Sequence, residues 1–288
     1  MKLSAVICSR NDNYGGHLKE RATYCFNSMV DCMDEVWYID WNTEEGKPSL
    51  LYEIYDDIPH VGKINHIVVT PQVKDVLTNN TPNVQKCCEV LSRNLGLRRA
   101  TGDWLVSTNI DIVAPKREDL LKTMEKLNEK TFYTLSRRGV WVEYDKWEYS
   151  KWQDLREYLY DTVPERKHEE KVMEGDDYSI INCCGDFQFA HRDVWHDIRG
   201  FEERLIFGLY TDTNVQKKAA MHGFDLKAIF DPPMFHINHG SKGYGGGGII
   251  DGINKVANDP IDAIQQQNKT QNMESWGFSD LEVEYETI

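Results

Sequence analysis

Four short apolar runs, each ending abruptly in polar residues, are the strongest constraint on what this chain can fold into. They are Leu3 to Cys8 (LSAVIC), Glu35 to Asp40 (EVWYID), Ile64 to Thr70 (INHIVVT) and Asp103 to Thr108 (DWLVST). Each has the length and residue types of a strand. Between the first two, His17 to about Met33 reads as a helix. Before the fourth, apolar residues recur at Val84, Cys88, Leu91 and Leu95, which predicts a helix from Val84 that ends near Thr101-Gly102. Strands alternating with helices predict βαβ units, hence an α/β, Rossmann-like domain with a mainly parallel central sheet flanked by helices. In such sheets ligands gather beyond the carboxyl ends of the strands. The residues there are Ser9-Arg10-Asn11-Asp12, Asp40-Trp41-Asn42, Thr70-Pro71 and Asn109-Ile110-Asp111. The pattern predicts that they assemble one site.

Composition narrows the partners. The net charge of −14 argues against a protein that tracks a nucleic-acid backbone, because phosphate affinity comes from clustered Lys and Arg. Arg93, Arg98 and Arg99 are the cluster that could form a local basic groove. Abundant carboxylates suit a bound divalent cation, although solubility explains them more simply. The 288 residues suffice for one large domain or two small ones. Seven cysteines, an odd number without CxxC spacing, read as reduced core thiols of a cytoplasmic protein. No signal peptide or membrane-spanning stretch is legible, so the sequons at Asn79 and Asn268 read as chance matches.

Residues 141–161 are rich in Trp, Tyr and charge, which suits either sugar faces or an ordinary amphipathic helix. Residues 165–177 are highly charged and read as a mobile surface loop, and 240–248 (GSKGYGGGG) as a lid or a loose connection. Asn109 and Asp111 follow a strand, so their side chains share one direction. A carboxylate there can bind a hard divalent cation, which in turn neutralises a diphosphate.

At this point a resemblance becomes specific. Ser92 to Pro115 (SRNLGLRRATGDWLVSTNIDIVAP) resembles the hallmark of GT-A-fold glycosyltransferases, particularly family 2-like enzymes. Their pattern is a helix carrying RNxGxxxAxG, then a strand, then a DxD motif. Arg93, Asn94, Gly96, Ala100 and Gly102 sit at matching positions. Cys184 to Glu203 resembles the acceptor-side segment, Thr211 to Gly223 the EDxD-type helix start, and Pro232 to Gly240 the late histidine motif. The resemblance covers roughly residues 3–240. It implies a donor half over about 1–115, an acceptor half over about 116–240, and a C-terminal extension, 241–288, packed on the same domain.

The resemblance also implies roles. A nucleotide-sugar, most simply a UDP-sugar, would give its sugar to the hydroxyl of a saccharide or other acceptor. Ser9, Arg10 and Asp40, with Asn42 beside them, would hold the nucleoside, and Arg93 the diphosphate. Asp111 with His239 or His236 would hold Mn²⁺ or Mg²⁺, a mixed set better suited to Mn²⁺ than to Ca²⁺. Asp212 would act as the base of an inverting transfer. Two positions depart from the pattern. Asn109 replaces the first acid of DxD, and the later acidic motif reads Thr211-Asp212 with Asn214 in place of an acid. Asn109 can still bond a ribose hydroxyl or a metal-bound water. Restoring the family's acid by Asn109→Asp is therefore expected to tighten metal binding. Asp212 also has a plain reading, as the cap of a helix that includes Val215 and Ala219 and ends at Gly223. Trp195 and Trp276 read as packing residues.

Three competitors remain at the level of sequence. A nucleotidyltransferase would open with a Gly-rich, Lys-containing loop, which SRNDNYGG matches weakly. A nucleotide- or carbohydrate-binding protein with a decayed site would explain the acid-to-amide changes. A hydroxylated DNA base as acceptor is disfavoured by the charge.

Overall fold

The computed structural model describes residues 1–82, 84–147, 152–163, 185–206, 211–240 and 272–288. The charged stretch 165–177, Cys183, Cys184, residues 241–248 of the Gly-rich stretch and Asn268 lie outside the described residues. The chain opens with β1 (Leu3–Ser9), α1 (Leu18–Cys32), β2 (Glu35–Trp41), α2 (Leu50–Glu53), β3 (Ile64–Val69) and α3 (Pro71–Leu77). It continues through α4 (Glu89–Arg99), β4 (Trp104–Thr108), β5 (Ile112–Val113), α5 (Arg117–Met124), β6 (Thr131–Val140) and α6 (Trp152–Thr162). The last elements are β7 (Phe187–His191), α7 (Arg192–Asp197), α8 (Thr211–Met221), β8 (Asp225–Ile237) and β9 (Glu286–Thr287).

These strands form a single sheet in the order β5-β8-β6-β7-β4-β1-β2-β3-β9. The run β3-β2-β1-β4 is parallel throughout, as the alternating pattern predicts. Beyond it the sheet is mixed. β7 lies antiparallel between β4 and β6, β8 runs parallel to β6, and β5 and β9 close the two edges antiparallel. Each edge strand is two residues long. β8 carries Pro232 and Pro233, both buried, and its register against β6 shifts between Leu135 and Arg137.

β1 and β2 are buried on both faces, and so read as continuous apolar runs. Ala5 and Ile7 face α1 with Phe26 and Met29, whereas Val6 and Cys8 face α4 with Leu91 and Leu95. Helix α4 starts at Glu89 and not at Val84. Cys88, with φ −78° and ψ 87°, is its non-helical cap, so apolar spacing alone placed the start too early.

Each residue of the RNxGxxxAxG pattern has a separate task. The Asn94 amide pairs with the backbone of Phe201 in both directions, donating at 2.9 Å and accepting at 2.7 Å. Gly102 donates to Ser4 Oγ at 2.8 Å, and Ala100 caps the helix. Gly96 sets how closely α4 lies on the sheet. A Cβ there would stand 2.5 Å from Val6 Cγ1 and 2.8 Å from Ile39 Cδ1.

The three arginines do not form a groove. Arg98 stacks on Trp276, and Arg99 donates to the carbonyls of Gly277, Phe278 and Leu281, so both bind the C-terminal segment. Arg93 points the other way, into the sheet's carboxyl end. Trp195 and Trp276 are buried. In the aromatic stretch, Trp152, Leu155 and Leu159 give α6 a packed face, while Trp141 is exposed. Among the described residues, no helix is long and apolar enough to cross a membrane.

Gly96 yields a test of this packing. In an open helix Gly→Ala stabilises by up to about 1 kcal/mol. Here the new methyl must push α4 off two buried side chains, and overpacking of this kind costs about 1–3 kcal/mol. Urea unfolding of Gly96→Ala is therefore expected to show a net loss of stability, opposite to the helix-propensity effect.

Candidate functional site

The carboxyl ends of β1 and β4 open into a cavity of about 770 Å³. Ser9, Arg10, Arg93, Asn109, Asp111, Asp212, His236 and His239 all line it. Asp40 and Asn42 do not. Asp40 is fully buried, its Oδ1 accepts from Thr43 Oγ1, and burial pushes its carboxyl above the usual range. Asn42 has φ 62°, donates to the Lys86 carbonyl at 2.9 Å, and accepts at its own carbonyl from Arg10 Nε at 2.8 Å. Both therefore support the Arg10 wall from behind. Thr70 is also outside the lining and caps α3.

Asp111 is the focus of one end of the cavity. Its Oδ2 receives His239 Nε2 at 2.9 Å, Arg21 Nη1 at 3.3 Å and His236 Nε2 at 3.5 Å. Burial opposes its ionisation, but the His239 bond and the neighbouring charges of His236, His239 and Arg21 prevail and hold the carboxyl below its usual range. Its other oxygen, Oδ1, is buried without a hydrogen-bond partner. Asp111, His236 and His239 bring one ligand atom each to within 4.8 Å of one another.

The chemistry of this set fits a cation. His239 Nδ1 faces the Gly240 carbonyl at 2.9 Å, and a carbonyl only accepts, so Nδ1 carries the proton. In the neutral ring, Nε2 then turns a lone pair toward the Asp111 carboxylate. That arrangement needs a second proton or a metal ion between the two atoms. An imidazole and a carboxylate, with one carboxylate oxygen unpartnered, are ligands for Mn²⁺ or Mg²⁺. His236 is held differently. Arg137 Nη2, a donor, lies 3.2 Å from its Nδ1 and Asn238 Oδ1, an acceptor, 3.3 Å from the same atom, while its Nε2 faces Asp111 Oδ2 at 3.5 Å.

The DxD-like pair is split by function. Asn109 Oδ1 accepts from Arg93 Nη2, and its Nδ2 donates to Asp186 Oδ1 at 2.7 Å. Arg93 is 3% exposed and also bonds Ser107 Oγ at 3.1 Å and Glu89 Oε2 at 3.2 Å. At the far wall, Asp212 lies in the first turn of α8. Its Oδ2 accepts from the Gly185 backbone N–H at 3.0 Å and its Oδ1 from Thr213 at 2.9 Å. A Cβ on Gly185 would stand 2.1 Å from that of Asp212, so only glycine lets the two segments meet.

Several residues in or behind the cavity wall escaped the sequence reading. Asp186 and Gly185 precede an antiparallel strand, so the rule of carboxyl strand ends passes over them. Arg21 sits inside α1 among Lys19 and Glu20, where sequence does not distinguish it from a solvated residue. Cys8 lines the cavity beside Cys87, whose thiol hydrogen bond outweighs burial and lowers the Cys8 thiol to about 7. Gly15, in the polar turn after β1, seats His239. It has φ +70°, and a Cβ there would stand 2.4 Å from His239 Nδ1.

No family model and no curated protein sequence matches this chain. Solved structures do. The mannosyltransferase PcManGT from Pyrobaculum calidifontis, in complex with GDP-Man and Mn²⁺, superposes with a TM-score of 0.52 over 96% of this chain and 72% of its own, at 13% identity. The 1–349 portion of S. aureus TarS gives 0.50 over 82% of this chain and 60% of its own, at 12% identity. The fold is that of the GT-A glycosyltransferases. The chain spans 37% of the longer S. aureus TarS structure, which it matches at 13% identity with a TM-score of 0.49.

The seat of His239 can be tested. For a cation held between Asp111 and His239, Gly15→Ala displaces the ring, and losses of this type cost about 10–100-fold in metal affinity. Calorimetric titration with Mn²⁺ is expected to show a drop of that size. Unchanged affinity would remove His239 from the ligand set.

Proposed function

We propose that this protein is a metal-dependent glycosyltransferase that moves a sugar from a nucleotide-sugar to an acceptor hydroxyl with inversion. The observation that carries the reading is the pairing, in one cavity, of the Asp111–His239 cluster with the backbone-held carboxylate of Asp212. A nucleotide-sugar complex of a GT-A neighbour with Mn²⁺ supports the same assignment. Residues 1–115 would supply the nucleotide-sugar half and 116–240 the acceptor half. The described cysteines are all free thiols, which suits the cytoplasm.

A Mn²⁺ or Mg²⁺ ion held by Asp111 and His239, with His236 beside it, would neutralise the diphosphate as it leaves. Ser9 and Arg10 flank the nucleoside end, and Arg93 adds a fixed positive charge at the cavity floor. Asp212 takes the proton of the acceptor hydroxyl while that oxygen attacks the anomeric carbon and the bond to the diphosphate breaks. The N–H groups of Gly185 and Thr213 hold and aim the Asp212 carboxylate.

The sequence resemblance implies a UDP-sugar, whereas PcManGT was solved with GDP-Man. A thermal-shift screen of UDP-, GDP- and dTDP-sugars with and without Mn²⁺ decides between them. A ligand at about 100 times its Kd stabilises by about 2.7 kcal/mol. Binding of none of these sinks the transferase reading. Undiminished binding in EDTA sinks the metal and leaves the phosphates to Arg93.

Asp212→Asn separates a base from a cap. An amide keeps one of the two backbone bonds, so a small loss in Tm is expected with nucleotide-sugar affinity unchanged. Transfer is expected to fall by about 10² or more. Transfer near the wild-type rate would make Asp212 structural and deprive the inverting mechanism of its base.

A further inference from the structure

Position 109 carries an amide where the resemblance implies an acid, and the surrounding hydrogen bonds give the reason. Asn109 follows β4, and Asp186 precedes the antiparallel β7, whose Phe187 is in register with Thr108. The two side chains therefore meet across the ladder. Thr108 Oγ1 fixes the Asp186 carbonyl at 2.6 Å, and Arg137 Nη1 holds the carboxylate at 2.9 Å. Asn109 Nδ2 donates to that carboxylate at 2.7 Å while its Oδ1 accepts from Arg93. An acid at 109 would set two carboxylate oxygens against each other at this separation. Within this pair the amide stands after β4 and the acid just before β7.

Asp186 lines the cavity, although it is only 6% exposed. It stands between the two ends of the reaction. On one side is the Asp111 cluster, reached through Arg137, which contacts both Asp186 and His236. On the other is Asp212, whose carboxylate bonds the N–H of Gly185 and whose carbonyl accepts from Gln188 at 3.0 Å. A sugar whose anomeric carbon lies between diphosphate and base must pass its ring hydroxyls over this carboxylate. We propose that Asp186 binds the transferred sugar by accepting its ring hydroxyls, and that Asn109 is an amide because it must donate to Asp186. This rests on the glycosyltransferase reading and adds the residue that recognises the sugar rather than the nucleotide.

The test compares each nucleotide with its own sugar derivative in the presence of Mn²⁺, using UDP against UDP-glucose and GDP against GDP-mannose. A hydrogen bond to a charged group corresponds to roughly tenfold or more in affinity. Asp186→Asn is expected to cost about that factor for whichever sugar derivative the wild type binds. The bare diphosphate should change by less than about twofold. Equal losses for both would reduce Asp186 to a structural role and overturn the proposal. Contrary to the expectation from the sequence pattern, the bonds of Asn109 to Asp186 and Arg93 make Asn109→Asp expected to lower Tm and weaken the sugar derivative, and the exchange N109D/D186N to recover most of the Tm, since it restores one acid and one amide. Tighter Mn²⁺ binding and a raised Tm in Asn109→Asp alone would overturn the pairing. The Tm cycle needs no ligand. A wild type that binds none of the UDP-, GDP- and dTDP-sugars overturns the transferase reading and the sugar role, while the cycle still judges the Asn109–Asp186 pair.

Discussion

A carboxylate that is 4% exposed, as Asp111 is, has lost most of its hydration and must regain it from protein groups. The effective penalty is several kcal/mol per ion, so the compensation has to come from well-placed partners. They arrive from three separate parts of the chain. Arg21 comes from α1, His236 from the end of β8, and His239 from the turn beyond it. Ile237 adds a backbone bond to the Asp111 carbonyl at 2.9 Å. The buried charge thus ties the N-terminal helix, the end of β4 and the last long strand to one point. Gly15 and Gly240 pass close by because His239 must reach that point.

The parallel half of the sheet was legible because its strands are buried on both faces, which forces unbroken apolar runs such as Leu3 to Cys8. The other half was not. β6 is interrupted by Ser136, Arg137 and Arg138, and β8 by Asp231 and two prolines, so neither presents a run or an alternation. At the site, Ser9, Arg10, Asn109 and Asp111 were found by one rule, that polar residues follow parallel strands. The same rule selected Asp40, which lies behind the cavity wall, because the rule gives position along a strand and not depth. It missed Asp186, because in an antiparallel strand the residues that reach the site come before the strand. The roles of His236 and His239 came from the resemblance, and their spacing alone would not have separated the two. Their contacts differ: His239 Nδ1 faces the Gly240 carbonyl and its Nε2 faces Asp111 Oδ2 at 2.9 Å, while His236 Nδ1 lies between Arg137 and Asn238.

The reversal of β7 also explains how two chemically different halves share one cavity. A continued parallel sheet would have carried its next polar residues on the far side of another crossover helix. Instead β7 runs back beside β4, and Gly185 and Asp186 arrive next to Asn109. Arg137, from β6 on the other side of β7, completes the contact. Residues expected to bind the nucleotide and residues expected to meet the acceptor become neighbours through a single antiparallel pairing.

The borders of the sheet have a consequence for how copies of this chain can meet. A strand edge with free N–H and C=O groups is a template on which another chain can continue the sheet. Here each border is a strand of two residues, and the long β8 behind one of them carries adjacent prolines, which present no N–H. A second chain that paired along β8 would lose the ladder bonds at Pro232 and Pro233, so the prolines limit how far copies of this chain can continue the sheet there.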